Sequence, residues 1–232
     1  MNSIKQSTIW NLIGNILPLL IGLLCIPFLV KNIGIERFGV LTLIWTLIGY
    51  FSIFDFGIGR ALTYSVSIQK TENDNNKLYS SIYSGLKLVL ITGLIGGFIL
   101  ALISKQLGYS WLNTNINLRE ETYYSILIAS LAIPVTTYTS GIKGVLEGFE
   151  EFKQINILKL ILGLLNFISP VFCVFLLGNS LINIVILLVI IRIAILILHL
   201  IYLNKKIKLT NILFSSKFIA SHDNKLLKFG AW

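Results

Sequence analysis

Arg192 carries the sharpest chemical question in the chain. It stands near the middle of Leu181–Leu203, a stretch with no other Asp, Glu, Lys or Arg. A guanidinium at the centre of an apolar helix costs roughly 2.5–3.5 kcal/mol on insertion scales. The helix centre lies ~15 Å from either interface at 1.5 Å per residue, too far for easy snorkelling. Two readings fit: a cation lining a polar cavity, or one half of a buried ion pair. Asp55 and Glu147 are the nearest carboxylate candidates for a pair, and both belong to the ends of their segments. His199 follows at i+7 and can share Arg192's face. Lys87 and Lys159 lie one or two turns inside other apolar runs, where snorkelling or a basic track toward Arg192 explains them equally. Together Arg192, Lys87, Lys159 and His199 are the candidates for holding an anionic ligand.

A second group reads as conformational. Phe54-Asp55-Phe56-Gly57-Ile58-Gly59-Arg60 and Lys143-Gly144-Val145-Leu146-Glu147-Gly148 each close an apolar run with glycines and charges. Asp55, Gly57, Gly59, Arg60 and Glu147 are therefore candidates for a gate or hinge. A local Asp55–Arg60 ion pair or a helix cap is the simpler alternative. No catalytic constellation accompanies them. The two histidines, His199 and His222, have no carboxylate or cysteine cluster beside them, and Gly57-Ile58-Gly59 is too short for a phosphate loop. The sequence therefore points away from an enzyme, a cofactor or a metal. Cys25 and Cys173 stand alone in apolar runs and read as packing residues.

The elements that position these residues are membrane helices. Of the 232 residues, 55% are hydrophobic and 12% charged, and the mean hydropathy is +0.83. Soluble domains carry about 25% charged residues, so this chain has too little polar surface to coat a water-soluble globule. A bilayer crossing takes about 20 apolar residues. Segments of that kind run from Ile9 to Val30, Phe38 to Phe54, Ser84 to Ser104, Thr122 to Ile142, Asn156 to Leu177 and Leu181 to Leu203. Gly178-Asn179-Ser180 supplies the turn between the last two. The expected fold is an all-α integral membrane protein, a six-helix bundle over residues 1–203. Residues 204–232 form a basic amphipathic connector and the start of a seventh helix. Asp55–Lys77 and Lys143–Lys153 are expected to lie on the membrane face.

Basic residues orient the bundle. Six crossings place fourteen of the nineteen Lys and Arg on the side of both termini and four on the other, with Arg192 between. The positive-inside rule puts both termini in the cytoplasm. The basic residues form no stripe, which argues against a nucleic-acid partner. Leu86-Lys87-Leu88-Val89-Leu90 echoes Leu158-Lys159-Leu160-Ile161-Leu162, and the two glycine-rich segments echo each other. A duplicated hairpin is one explanation.

Phe54-Asp55-Phe56-Gly57-Ile58-Gly59-Arg60-Ala61-Leu62 resembles the segment after the second helix of Wzx-type polysaccharide flippases, in the multidrug/oligosaccharidyl-lipid/polysaccharide exporter superfamily. Gly34-Ile35-Glu36-Arg37-Phe38-Gly39 and Gly144-Val145-Leu146-Glu147-Gly148-Phe149-Glu150, with Asn156 following, agree in order and spacing. The resemblance implies two pseudo-symmetric bundles of about six helices around a cavity. Its cargo is an undecaprenyl-pyrophosphate-linked oligosaccharide, turned across a bacterial inner membrane for O-antigen or capsule synthesis. Its partners are membrane lipids and a second six-helix half. This chain supplies one bundle, so an inactive half-length scaffold is an alternative. An exporter of drugs or metabolites is another, although exporters of cations call for carboxylates inside the membrane and this chain offers basic residues.

Overall fold

A computed structural model describes residues 2–72 and 74–207, with side chains described for 14, 16–50, 54–72 and 74–207. The described residues contain helices and no strand. The helices are α1 (Asn2–Ile33), α2 (Ile35–Phe51), α3 (Ile58–Thr71), α4 (Asn75–Gln106), α5 (Arg119–Ser130), α6 (Ala132–Gly148), α7 (Phe152–Leu177) and α8 (Leu181–Lys206). Five stretches are long and apolar enough to cross a membrane: Ile16–Ile33, Asn75–Trp111, Ile116–Gly148, Phe152–Leu177 and Leu181–Lys206. The chain is thus an all-helical integral membrane protein. The expected second crossing corresponds to α2, which has 17 residues and is prolonged by a tight helical turn at Ser52–Asp55. Most of the expected connector, residues 208–232, lies outside the described residues.

Helix ends depart from the apolar runs in a consistent way. α4 starts nine residues before Ser84, and α6 runs on to Gly148. Hydropathy registers only the part of a helix that lipid must touch, and helical hydrogen bonding continues into the polar zone beyond. Asp74 caps α4 by accepting from the Lys77 N–H at 3.1 Å, and its side chain pairs with Lys77 Nζ at 2.8 Å. That hydrogen bond holds the Asp74 carboxyl below the usual carboxylate range. Gly178, at φ 81°, makes the expected turn between α7 and α8.

α3, expected on a membrane face, is packed against neighbouring helices. It packs along α4 and α6 as a continuation of α2 beyond a break. Its spacing explains this: Ile58, Leu62 and Val66 repeat every four residues and all are buried. Glycines receive them. A Cβ on Gly85 would collide with the Leu62 side chain, and one on Gly148 would meet Val66 and the Thr63 carbonyl. The break itself comprises the turn at Ser52–Asp55, Phe56 at φ 47° and Gly57 at φ 73°. Both φ values are left-handed, which glycine adopts freely and phenylalanine rarely.

The buried apolar residues fall into two clusters stacked along the bundle. One holds Leu29, Leu41, Ile44, Leu100, Ile126, Ile133, Cys173 and Leu181–Val189 positions of α8, with further neighbours. The other holds Ile58, Leu62, Val66, Ile82, Leu86, Ile142, Leu146, Ile155 and Leu203. The first lies toward the end of the bundle that carries Arg37, the second toward the end that carries Lys206. The outward face of α4 is apolar from Leu90 to Leu102, with Leu94, Ile95, Phe98 and Leu102 all exposed. In water such a face would aggregate; hydrocarbon is its natural solvent.

Candidate functional site

Between the two cores runs a seam built of different residues. On α4 the Lys206-end cluster stops at Val89 and the Arg37-end cluster resumes at Leu100. The interval contains Gly93, Gly96 and Gly97. On α6 it contains Pro134 and Thr137, and on α7 Asn166, Ser169 and Pro170. On α8 it contains Arg192 and Ile195. The Phe54 side chain reaches into this interval, where a Cβ on Gly96 would meet it, and the break between α2 and α3 follows toward the Lys206 end, where Asp55 bonds Ser140. The seam is therefore rich in small, polar and helix-weakening residues where the cores are rich in Leu and Ile.

Arg192 is 8% exposed and sits in this seam. Eleven residues after Leu181, it lies roughly 16 Å down α8. One guanidinium nitrogen donates to the Leu188 carbonyl at 3.2 Å, on its own helix. No carboxylate pairs with it among the described residues, so Asp55 and Glu147 are not its partners. Two other buried groups in the seam, Asn166 Oδ1 and Ser169 Oγ, lack hydrogen-bond partners among the described residues, as does Trp45 Nε1 at the edge of the Arg37-end core. Trp45 stands edge-on to Phe167 at 5.3 Å, which ties α2 to α7 at this point. Counting at 1.5 Å per residue from Arg37, Leu177 and Leu181, all four groups lie roughly 12–16 Å below the same end. Buried donors and acceptors without protein partners call for water or a polar ligand.

His199 shares the buried face of α8 with Arg192, as its i+7 spacing required, and its Nδ1 lies 2.9 Å from the Ile195 carbonyl. Lys87 and Lys159 are exposed. Lys87 follows the outward apolar stripe of α4, with Ile91, Leu94 and Phe98. It stands twelve residues inside α4, and Lys159 seven inside α7. The structure joins Arg192 with His199 and leaves the two lysines outside the seam.

The conformational candidates converge instead. Asp55 accepts from the Gly57 N–H at 2.8 Å with one oxygen and from the Ser140 hydroxyl at 2.8 Å with the other. Gly59 packs on the Ser140 carbonyl, and Gly144 on the Gly59 carbonyl. The Thr63 hydroxyl lies 3.1 Å from the Gly59 carbonyl, 3.0 Å from the Gly144 carbonyl and 3.4 Å from Glu147 Oε2. Glu147 also pairs with Lys143 at 3.5 Å. The two glycine-rich segments that echo each other in sequence are thus opposite sides of one helix crossing. Arg60 is exposed and makes no ion pair with Asp55, whose oxygens go to Gly57 and Ser140.

Sequence reasoning missed Ser140 and Thr63. The spacing Ser140, Gly144, Gly148 against Gly59, Thr63 is a small-residue repeat of four that signals close helix approach. It also missed Glu121. That carboxylate accepts from Arg37 Nε at 2.8 Å and from the Leu181 N–H at 2.7 Å, so it holds α2 and the positive N-terminus of α8 together. Glu36 adds a bond from Asn115 Nδ2 at 2.9 Å. At the opposite end Lys206 pairs with Glu151, and Lys70 with Glu150 at 3.9 Å.

Comparison with known proteins agrees with the motifs. A family profile described as "Polysaccharide biosynthesis protein" matches residues 4–232. A Shigella flexneri protein named "Putative O-antigen transporter" is 27% identical over 157 residues, covering 68% of this chain. The aligned part is 37% of that protein's length, so the chain spans well under half of this relative. No solved structure matches. With its helices, its glycine-rich crossing and a profile match along nearly its whole length, the chain belongs to the polysaccharide biosynthesis protein family of membrane proteins.

Proposed function

We propose that this chain forms one bundle of a flippase that carries an undecaprenyl-pyrophosphate-linked oligosaccharide from the cytoplasmic to the outer leaflet of a bacterial inner membrane. Six segments cross the membrane in this reading, α2 and its continuation α3 forming the second, and both termini are cytoplasmic. The Arg37 end then faces outward and the Lys206 end inward. A second bundle completes the path, and transport needs both.

The observation that carries the reading is Arg192. A buried guanidinium whose one protein bond goes to its own helix keeps most of its five donors for something else. A diphosphate entering a low-dielectric region needs a fixed cation, and the planar fork of Arg suits phosphate oxygens. His199 extends the site along α8. Lys87 and Lys159 are assigned to the inner entrance, where the diphosphate first meets cationic headgroup-level side chains. Asp55, Gly57, Gly59, Arg60 and Glu147 belong to the moving part.

The test is a flipping assay in vesicles, with the complete transporter and a lipid-linked oligosaccharide. Arg192→Ala is expected to insert normally and lose transport, and Arg192→Lys to recover part of it because charge survives without the fork. Normal transport by Arg192→Ala would remove Arg192 from the cargo path. Robust saturable flipping by a single bundle would overturn the need for two.

A further inference from the structure

We infer that the bundle bends at its seam, so that its two apolar cores move as separate units rather than as one rigid body. In the seam α4 and α6 meet through glycines and small or ring side chains rather than through Leu and Ile. α4 crosses α6 there through Gly93 and Gly97, which meet Thr137, Pro134 and the Ser130 carbonyl with no side chain of their own. Small groups set into glycine notches make shallower ridges than interdigitated Leu and Ile, and resist rotation less. Pro134 lacks the N–H that would bind the Ser130 carbonyl, and Pro170 lacks the one for the Asn166 carbonyl. α5 and α6 are interrupted at Leu131, just before Pro134.

Other crossing segments carry weak points as well. The α2–α3 path breaks at Phe56 and Gly57. α7 carries Pro170, and α1 carries Pro18 and Pro27. α8 has no such break and keeps the polar Arg192 in the seam. A bend needs continuous helices to flex where the others give, and α8 and the glycine-containing α4 are those helices. The ends are fastened differently. Arg37, Glu121 and the α8 N-terminus are tied at one end, while Glu151–Lys206 and Lys70–Glu150 tie the other. Each core therefore has its own clamp, and no ion pair among the described residues bridges the seam.

Spin-label distances in nanodiscs test this without any cargo. Cys25→Ala and Cys173→Ala remove the native thiols, and labels go on exposed sites. Trp111 with Asn179 reports on the Arg37-end core, Ser67 with Lys205 on the other, and Ser67 with Asn179 across the seam. A bend of roughly 10° displaces a label roughly 20 Å from the hinge, about 13 residues of helix at 1.5 Å each, by ~3 Å. The cross-seam distribution is expected to be wider than either within-core distribution by at least that amount. The pair Pro134→Ala and Pro170→Ala, which restores two helical hydrogen bonds, is expected to remove the excess. A cross-seam distribution as narrow as the within-core ones overturns the inference, as do within-core distributions equally wide. Should the proline variants misfold, the comparison in the parent protein decides alone.

Discussion

Gly144 of α6 rests directly on the carbonyl of Gly59 in α3, and there is no space between them for a single methyl group. The obstacle is backbone, which cannot swing aside as a side-chain tip can. Gly144→Ala is therefore expected to destabilise the protein by about 1–3 kcal/mol, the usual cost of forcing an extra group into a packed crossing. Thermal unfolding in detergent measures it. Gly39→Ala is the control: nothing lies within 4 Å of its position, and it should be neutral or slightly stabilising.

Glu121 and Arg37 should couple energetically. The side chain of Glu121 is 15% exposed and that of Arg37 34%. Partial exposure of Arg37 discounts the pair to about 1 kcal/mol, near the upper range for solvated ion pairs. A double-mutant cycle with Arg37→Met and Glu121→Gln reads the coupling from unfolding midpoints. Glu121→Ala should cost more than Glu121→Gln, because only Gln keeps an acceptor for the Leu181 N–H. Additive losses would show that the two side chains do not interact.

Topology is testable by reporter fusions. With both termini inside, fusions after Lys77 and Glu151 are expected to report cytoplasm, and a fusion after Trp111 the outside. The basis is the distribution of basic residues together with the helix order. An external signal after Lys77 would mean that α2 and α3 do not form one crossing.

The helices were largely legible because hydropathy and length respond to lipid directly. The 178–180 turn was legible for the same reason, since an uncharged run too long for one crossing must be cut where glycine permits. The packing of α3 was not legible because polar residues dominate its composition, whereas Leu62 and Val66 settle it by meeting Gly85 and Gly148. Those glycines lie elsewhere in the chain, and only folding brings them to Leu62 and Val66. For Asp55 the sequence offered a local pair with Arg60 or a helix cap as the alternative to a hinge, because only near neighbours are visible. Its partner Ser140 is 85 residues away, and a hydroxyl carries no long-range signal in one sequence. Arg192 could be singled out because its charge conflicts with its surroundings, a conflict visible without coordinates. The seam around it could not be seen, since it is a level shared by several helices rather than a run in any one.

Stability and activity should move in opposite directions at Arg192. A charge buried without a carboxylate costs desolvation that a carbonyl on its own helix repays only in part. An apolar side chain of similar length and flexibility avoids that cost and fills the same space. Arg192→Met is therefore expected to raise stability by about 1–4 kcal/mol, the range seen when buried charges give way to well-packed apolar residues. Transport by the same variant is expected to fall, because the fixed cation for the diphosphate is gone. The combination separates the two explanations for this residue. If Arg192 serves only to hold the bundle together, Met should lower the unfolding midpoint and the amount of protein inserted. If it is kept for cargo, the variant should be abundant, more stable and inactive. Arg192→Met that is both more stable and fully active would leave the buried charge without the role assigned to it.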